Sequence, residues 1–174
     1  SADIPSAVAA ARACDVVVDV VGGSSARDFR TEYISTGAAS VSNDSVSDMD
    51  CGEGFDRASL DLLGRQMDLL KALKATGKPL VVVYIQGRPL DMKWARENAD
   101  ALITQWYPGM EGGTALAKVL YGDYNPAGRL PVSVPGDVGA LPVYYNNRMP
   151  RRGKYVEMPS KALYPFGYGL SYTT

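Results

Sequence analysis

The sequence predicts an α/β domain, with a mostly parallel sheet between layers of helix in a three-layer α/β/α sandwich. Two Val-rich runs, Asp15–Val21 and Leu80–Ile85, read as strands, the second covered on both faces because it is apolar nearly throughout. Segments of helical periodicity alternate with the strand runs, the pattern that yields parallel pairing through crossover helices. At 174 residues, 46% of them hydrophobic, the chain suffices for one domain with a single core, spanning residues 1–174.

In chain order, Pro5–Ala13 is Ala-rich with Pro at a first-turn position and reads as a short helix. Asp15–Val21 follows as a strand ended by Gly22-Gly23. From Leu62 to Ala75, Leu62, Leu63, Met67, Leu69, Leu70 and Leu73 share one helical face; Gly77 closes that helix and Pro79 stops it resuming. Leu80–Ile85 is the second strand, Asp91–Asn98 a helix, Ala101–Trp106 a strand, Thr114–Tyr121 a helix stopped by Gly122, and Leu130–Val134 a last strand. Between Gly22 and about Arg57 lies a long Ser-, Asp- and Gly-rich loop, and such loops usually carry function. It leaves the carboxyl end of a strand, where open α/β sheets place their ligands. After Pro135 the chain turns Tyr-, Pro- and Arg-rich and is expected to wrap irregularly over the domain.

Composition excludes several classes of chemistry. A net charge of −1 with no basic stripe gives no electrostatic footprint for nucleic acid or anionic membrane. No apolar run approaches the roughly 20 residues that span a bilayer. With no histidine, Ser-His-Asp and Cys-His catalysis and the usual zinc sites are absent. Cys14 and Cys51 could form one disulfide or remain thiols, and cannot build a disulfide framework or a four-ligand metal site. Asp48-Met49-Asp50-Cys51-Gly52 begins like a calcium loop, but Ser59 stands at the twelfth position where a bidentate Glu is needed. Gly22-Gly23-Ser24-Ser25 lacks the spacing and the Lys of a phosphate cradle and reads as a tight turn. Asn43-Asp44-Ser45 matches a glycosylation tripeptide and suggests only an exposed loop.

Carboxylates remain. Gly52-Glu53-Gly54 sets a Glu between two glycines, so the backbone can turn sharply and present it. Asp56 and Arg57 follow and could pair to hold the turn. A shielded loop carboxyl is what protonating a glycosidic oxygen requires. On spacing alone, a solvated Glu or one stabilising the next helix's amino end is the favoured reading.

Five blocks in order resemble the second domain of glycoside hydrolase family 3. They are Gly52–Arg57 with Ala75–Pro79; Gly87-Arg88-Pro89-Leu90; Trp106–Gly109 with Glu111-Gly112-Gly113; Gly122–Pro131; and Leu163–Thr173. The resemblance covers most of the chain, from about Asp15 to its end. It implies a flavodoxin-like sandwich beside an amino-terminal (β/α)8 barrel that carries an Asp nucleophile. It further implies a retaining β-glycosidase acting on terminal non-reducing β-linked sugars, β-glucosidase first and β-xylosidase second, with no cofactor and no metal. The matching loop makes Glu53 the candidate general acid/base, with Glu32 in Arg30-Thr31-Glu32-Tyr33 as its rival. Arg88 and Arg129 are expected to anchor loops, Asn125-Pro126-Ala127-Gly128 to form a turn, and Trp106 and Tyr107 to pack in the core or at a domain interface. Phe166, Tyr168 and Tyr172 are expected to seal the domain.

The barrel, the family's first sandwich strands and a following fibronectin-like module are not among these residues. The chain therefore reads as a fragment, inactive alone, of a periplasmic or extracellular parent whose partners are a β-glycoside and its own barrel. Two other readings stand beside it. One is a non-catalytic carbohydrate-binding or scaffold domain supporting the barrel. The other is a nucleotide or flavin module, which the missing phosphate loop counts against.

Overall fold

The computed structural model describes residues 3–25, 32–37, 40, 49–51, 57–146 and 161–173. Helix α1 (Ile4–Arg12) starts where Asp3 accepts a hydrogen bond from the Ser6 amide at 3.0 Å, with Pro5 in the first turn. Those bonds from Ser6 hold the Asp3 carboxyl below its usual range. Strand β1 (Val17–Gly22) leads to helix α2 (Gln66–Lys74), strand β2 (Leu80–Ile85), helix α3 (Lys93–Asn98), strand β3 (Ala101–Thr104) and helix α4 (Gly112–Leu120). A single 3-10 turn, Val138–Ala140, follows.

The sheet runs β1-β2-β3, all parallel, with Val17 opposite Leu80 and Val81 opposite Ala101. Two crossovers stepping in one direction put α2 and α3 on the same face. The core lies there. Val21, Leu80, Val82 and Tyr84, alternate strand residues of one face, cluster with Ala11 of α1, Leu70 and Leu73 of α2 and Ala95 of α3. Leu70, Leu80, Val82, Tyr84 and Ala95 are fully buried. Burial, and then the nearby Asp91 charge, push the Tyr84 phenol far up, and its hydroxyl donates to the Asp91 carbonyl at 3.1 Å. On the opposite face Val18 and Val20 are about half exposed while Val83 of β2 is buried.

The α/β class and the parallel sheet are as the sequence predicts, and β2 has the predicted bounds. Four elements are shorter, the strand expected from Asp15 beginning at Val17. The helix expected from Leu62 begins at Gln66, because Gly64 sits at φ +62° and breaks the helical run. The helix expected from Asp91 begins at Lys93, whose amide is capped by the Asp91 carboxylate at 2.8 Å. Strand β3 stops before Trp106, which turns the chain at φ +52°.

The predicted strand Leu130–Val134 does not form. Pro131 removes a ladder donor within it and Pro135 another just after it. What remains is an irregular ribbon with the carboxyl-terminal segment: the Leu130 amide donates to the Tyr168 carbonyl and the Val134 amide to the Tyr164 carbonyl, each at 2.8 Å. One isolated antiparallel bridge joins Val134 to Tyr164. Arg96 of α3 stacks 5.3 Å from the Tyr164 ring centroid and fastens this tail to the helix layer. Tyr172 donates to the Val119 carbonyl at 2.6 Å, and the Asn125 carboxamide accepts from the Tyr172 amide at 2.7 Å. Asn125 thus clasps the tail in addition to sitting at a turn. Phe166 remains half exposed.

Candidate active site at the carboxyl ends of the strands

Three chain exits meet at the carboxyl edge of the sheet: Gly22–Ser25 after β1, Gln86–Arg88 after β2, and Gln105–Tyr107 after β3. Each is held rigidly. The Gln66 carboxamide clasps Gly22 on both sides, accepting from its amide at 2.8 Å and donating to its carbonyl at 2.9 Å. Gln86, fully buried, accepts from the Leu90 amide at 3.0 Å and donates to Thr104 Oγ1 at 2.9 Å, so it ties the β2 exit to β3. The Gln105 amide still bonds the Tyr84 carbonyl at 2.9 Å, and the next residue departs in the left-handed region. For Trp106 such a backbone costs about 1–3 kcal/mol, and conformations of this kind cluster at functional sites.

Onto this edge comes the short stretch Met49–Cys51. Met49 bridges Ser24, and the Asp50 amide donates to the Ser24 carbonyl at 2.9 Å. The Asp50 carboxylate is fully buried, and among the described residues neither oxygen has a hydrogen-bond partner. Its nearest cation is Arg57 Nη1 at 4.0 Å, an ion pair too long for a hydrogen bond. Arg57 Nη2 donates instead to the Asp61 carbonyl at 2.7 Å. Cys51 Sγ lies 2.9 Å from the Tyr107 hydroxyl. Partial burial raises the Tyr107 pKa, the Cys51 bond adds to this, and a hydrogen bond from Ser25 opposes it.

Glycines make this docking possible. A Cβ on Gly23 would fall 1.7 Å from Asp50 Oδ2, and one on Gly87 would fall 2.5 Å from Cys51 Sγ and 2.6 Å from the Tyr107 hydroxyl. Gly22, at φ +147°, would drive a Cβ to 1.7 Å from the Ile85 carbonyl oxygen. The Gly22-Gly23 pair is therefore the tight exit read from sequence, and also the seat for a carboxylate.

Of the predicted site residues, Glu53 lies outside the described residues, as do Gly52, Gly54, Asp56, Arg30, Thr31 and Asn43-Asp44-Ser45. Glu32 is exposed, with its carbonyl accepting from the Ser40 amide at 2.7 Å. The pairing considered between Asp56 and Arg57 has a described counterpart in the ion pair of Arg57 with Asp50. Arg129 anchors its own loop by donating to the Gly128 carbonyl at 2.9 Å. Among the described residues, Arg88 Nε and Nη2 are buried without a hydrogen-bond partner. Tyr107 is 45% exposed and does not pack in the core. Cys14 and Cys51 are both free thiols. Sequence reasoning missed Asp50, the Cys51–Tyr107 contact and the Gln66 clasp. The one signal for them was glycine immediately after each of the first two strands, marking close backbone approach.

The chain matches the glycosyl hydrolase family 3 C-terminal domain over residues 1–172. It is 42% identical over 174 residues to a β-xylosidase from Formosa agariphila, covering 98% of this chain and 21% of that protein. It is 44% identical over 182 residues to a periplasmic β-glucosidase from Salmonella typhimurium, with the same coverage of each. Among solved structures, a β-glucosidase from Erythrobacter marinus superposes with a TM-score of 0.77 at 42% identity, over 98% of this chain and 21% of that one. The β-glucosidase from Listeria innocua in complex with glucose gives 0.78 at 32% identity, over 99% and 22%. The chain thus spans about a fifth of the length of the relatives it matches. With a whole-domain match, this identity and the parallel α/β sheet, the chain belongs to glycosyl hydrolase family 3, as its C-terminal domain.

Proposed function

We propose that this domain supplies the general acid/base carboxyl of a retaining β-glycosidase, that Glu53 is that residue, and that the parent protein hydrolyses terminal β-glucosides or β-xylosides. The observation that carries the reading is the docking of Met49–Cys51 across the carboxyl edge of the sheet, two residues before Glu53. That edge is where α/β sheets hold ligands. The relatives' names support both sugars, one being a β-xylosidase and another a β-glucosidase. Choice between them belongs to a sugar pocket outside these residues. The Salmonella relative's name also supports a periplasmic parent.

In this scheme a carboxylate from a barrel domain attacks the anomeric carbon while Glu53 gives its proton to the departing glycosidic oxygen as that C–O bond breaks. The resulting Glu53 carboxylate then takes a proton from water, whose oxygen displaces the enzyme carboxylate and frees the sugar. Glu32, exposed in the described structure, is the rival for this role.

The test is Glu53→Gln in the intact protein. We expect kcat on an aryl β-glycoside with a weakly acidic phenol to fall about 100- to 10,000-fold, with azide restoring turnover on activated substrates as a glycosyl azide. Normal activity in Glu53→Gln, with loss in Glu32→Gln, would transfer the role to Glu32. Normal activity in both would leave the domain a binding or scaffold module. The 174-residue chain alone is expected to release no sugar.

A further inference from the structure

We infer that Asp50, Cys51 and Tyr107 form a latch that positions the acid/base loop, with Tyr107 holding the loop to the sheet through the Cys51 sulfur. The inference rests on the assignment of Glu53 and goes beyond it by naming the side chains that fix where its proton is delivered.

Two consecutive residues of the loop are each seated over a glycine at a different strand exit. Asp50 fills the space that any side chain on Gly23 would occupy, and Cys51 fills that over Gly87. The Asp50 amide continues β1 by bonding Ser24, and Cys51 meets Tyr107 beyond β3. The loop start is thus fastened to the exits of all three strands. Its far side is fastened too, because Arg57 pairs with Asp50 and donates to the Asp61 carbonyl. The described residues on either side of Glu53, Cys51 and Arg57, are thus each tied down, one to Tyr107 and the other to Asp50.

Stability does not account for this arrangement. A fully buried carboxylate with no hydrogen bond to either oxygen among the described residues opposes folding, and an ion pair at 4.0 Å compensates only in part. Its retention fits a part of the molecule where position matters more than energy. A general acid acts only when its proton lies within hydrogen-bond reach of the leaving oxygen, so a loosened loop slows proton delivery without weakening sugar binding.

The experiment uses the intact protein and two aryl β-glycosides, one with a strongly acidic phenol that departs unaided and one with a phenol of pKa about 10. Tyr107→Phe is expected to cut kcat/KM, which reports the leaving-group step alone, about 10- to 100-fold on the second substrate and less than about threefold on the first; kcat on the first also falls where water attack on the glycosyl-enzyme, which uses Glu53 again, limits turnover. Cys51→Ala is expected to do the same, and Cys51→Ser, which keeps a donor and acceptor at that atom, to recover most of the loss. Equal losses on both substrates, or none on either, in Tyr107→Phe and Cys51→Ala would overturn the latch. Glu53→Gln, run in parallel, separates the two ideas. If it alone discriminates between the leaving groups, Glu53 stands and the latch falls; if it does not discriminate, both fall. Tyr107, being partly exposed, keeps the test open should Asp50→Asn fail to fold.

Discussion

The two ends of this sheet treat a carboxylate in opposite ways. At the amino ends of the strands, Asp100 accepts from the Leu80 amide at 2.9 Å and from Lys74 Nζ at 3.0 Å, and these bonds hold its pKa below the usual range. At the carboxyl ends, Asp50 is fully buried, with neither oxygen hydrogen-bonded to a described residue. Among the described residues the buried Nη1 of Arg57 and Nε and Nη2 of Arg88 have no such partner either, and Trp106 is held at positive φ. One end is satisfied and relaxed. The other keeps polar groups and backbone in costly states, as sites that must present groups to a ligand do. The same strands run through both ends, so the difference lies in the loops.

The comparison can be broken or sharpened by substitution. The largest expected effect is Gly22→Ala. It drives a Cβ into the Ile85 carbonyl at a φ that only glycine adopts readily, so a loss of about 3 kcal/mol or more is expected in the urea midpoint of the chain. Gln66→Ala comes next. It leaves both polar groups of Gly22 without their clasp, at about 1–3 kcal/mol. Gly23→Ala differs in kind. It expels the Asp50 carboxylate, so stability should change by less than about 1 kcal/mol while kcat/KM of the intact protein on the weakly acidic phenol falls as in Tyr107→Phe. A large stability loss there, with kcat/KM unchanged, would erase the contrast between the two ends.

The smallest effects are pH-dependent and of opposite sign. The Asp100 pKa is lowered in the folded state, so its stabilisation is present above the unfolded value near 3.9 and is lost as pH falls through the lower folded value. Asp100→Asn should therefore destabilise at neutral pH and become indistinguishable from the parent in strong acid. Asp19, in the middle of β1, behaves the other way. Burial raises its pKa, and its Oδ2 has no hydrogen-bond partner. Its favourable contribution is complete below the unfolded value and is lost as pH rises through the raised folded value. Asp19→Asn should stabilise at neutral pH, with the gain vanishing on acidification. Urea midpoints at pH 7 and pH 3 check both.

Much of the fold was legible because its signals are local. The run Leu80–Ile85 is apolar at every position, and only a strand enclosed by neighbours on both faces buries such a run. Helix α2 was legible in its apolar face and its closing Gly77. Its start was not, since Gly64 at positive φ and a Gln66 side chain turned toward Gly22 depend on the strand beside them. Leu130–Val134 misled because apolar residues between prolines look like an edge strand until the partner segment is known. The Cys51–Tyr107 contact was not legible, because the Tyr107 hydroxyl meets a sulfur 56 residues earlier in the chain.

By itself the sequence determined the α/β class, the order of the helices and the three paired strands, and the family to which the blocks around Glu53, Arg88, Trp106 and Arg129 point. Periodicity and short motifs are properties of neighbours in the chain. Only the tertiary structure decided that Asp50 is the buried carboxylate over Gly23, that Cys51 reaches Tyr107, and that the two ends of the sheet differ. Those facts join residues tens of positions apart, and burial and hydrogen bonding across such distances are set by packing that no local pattern encodes.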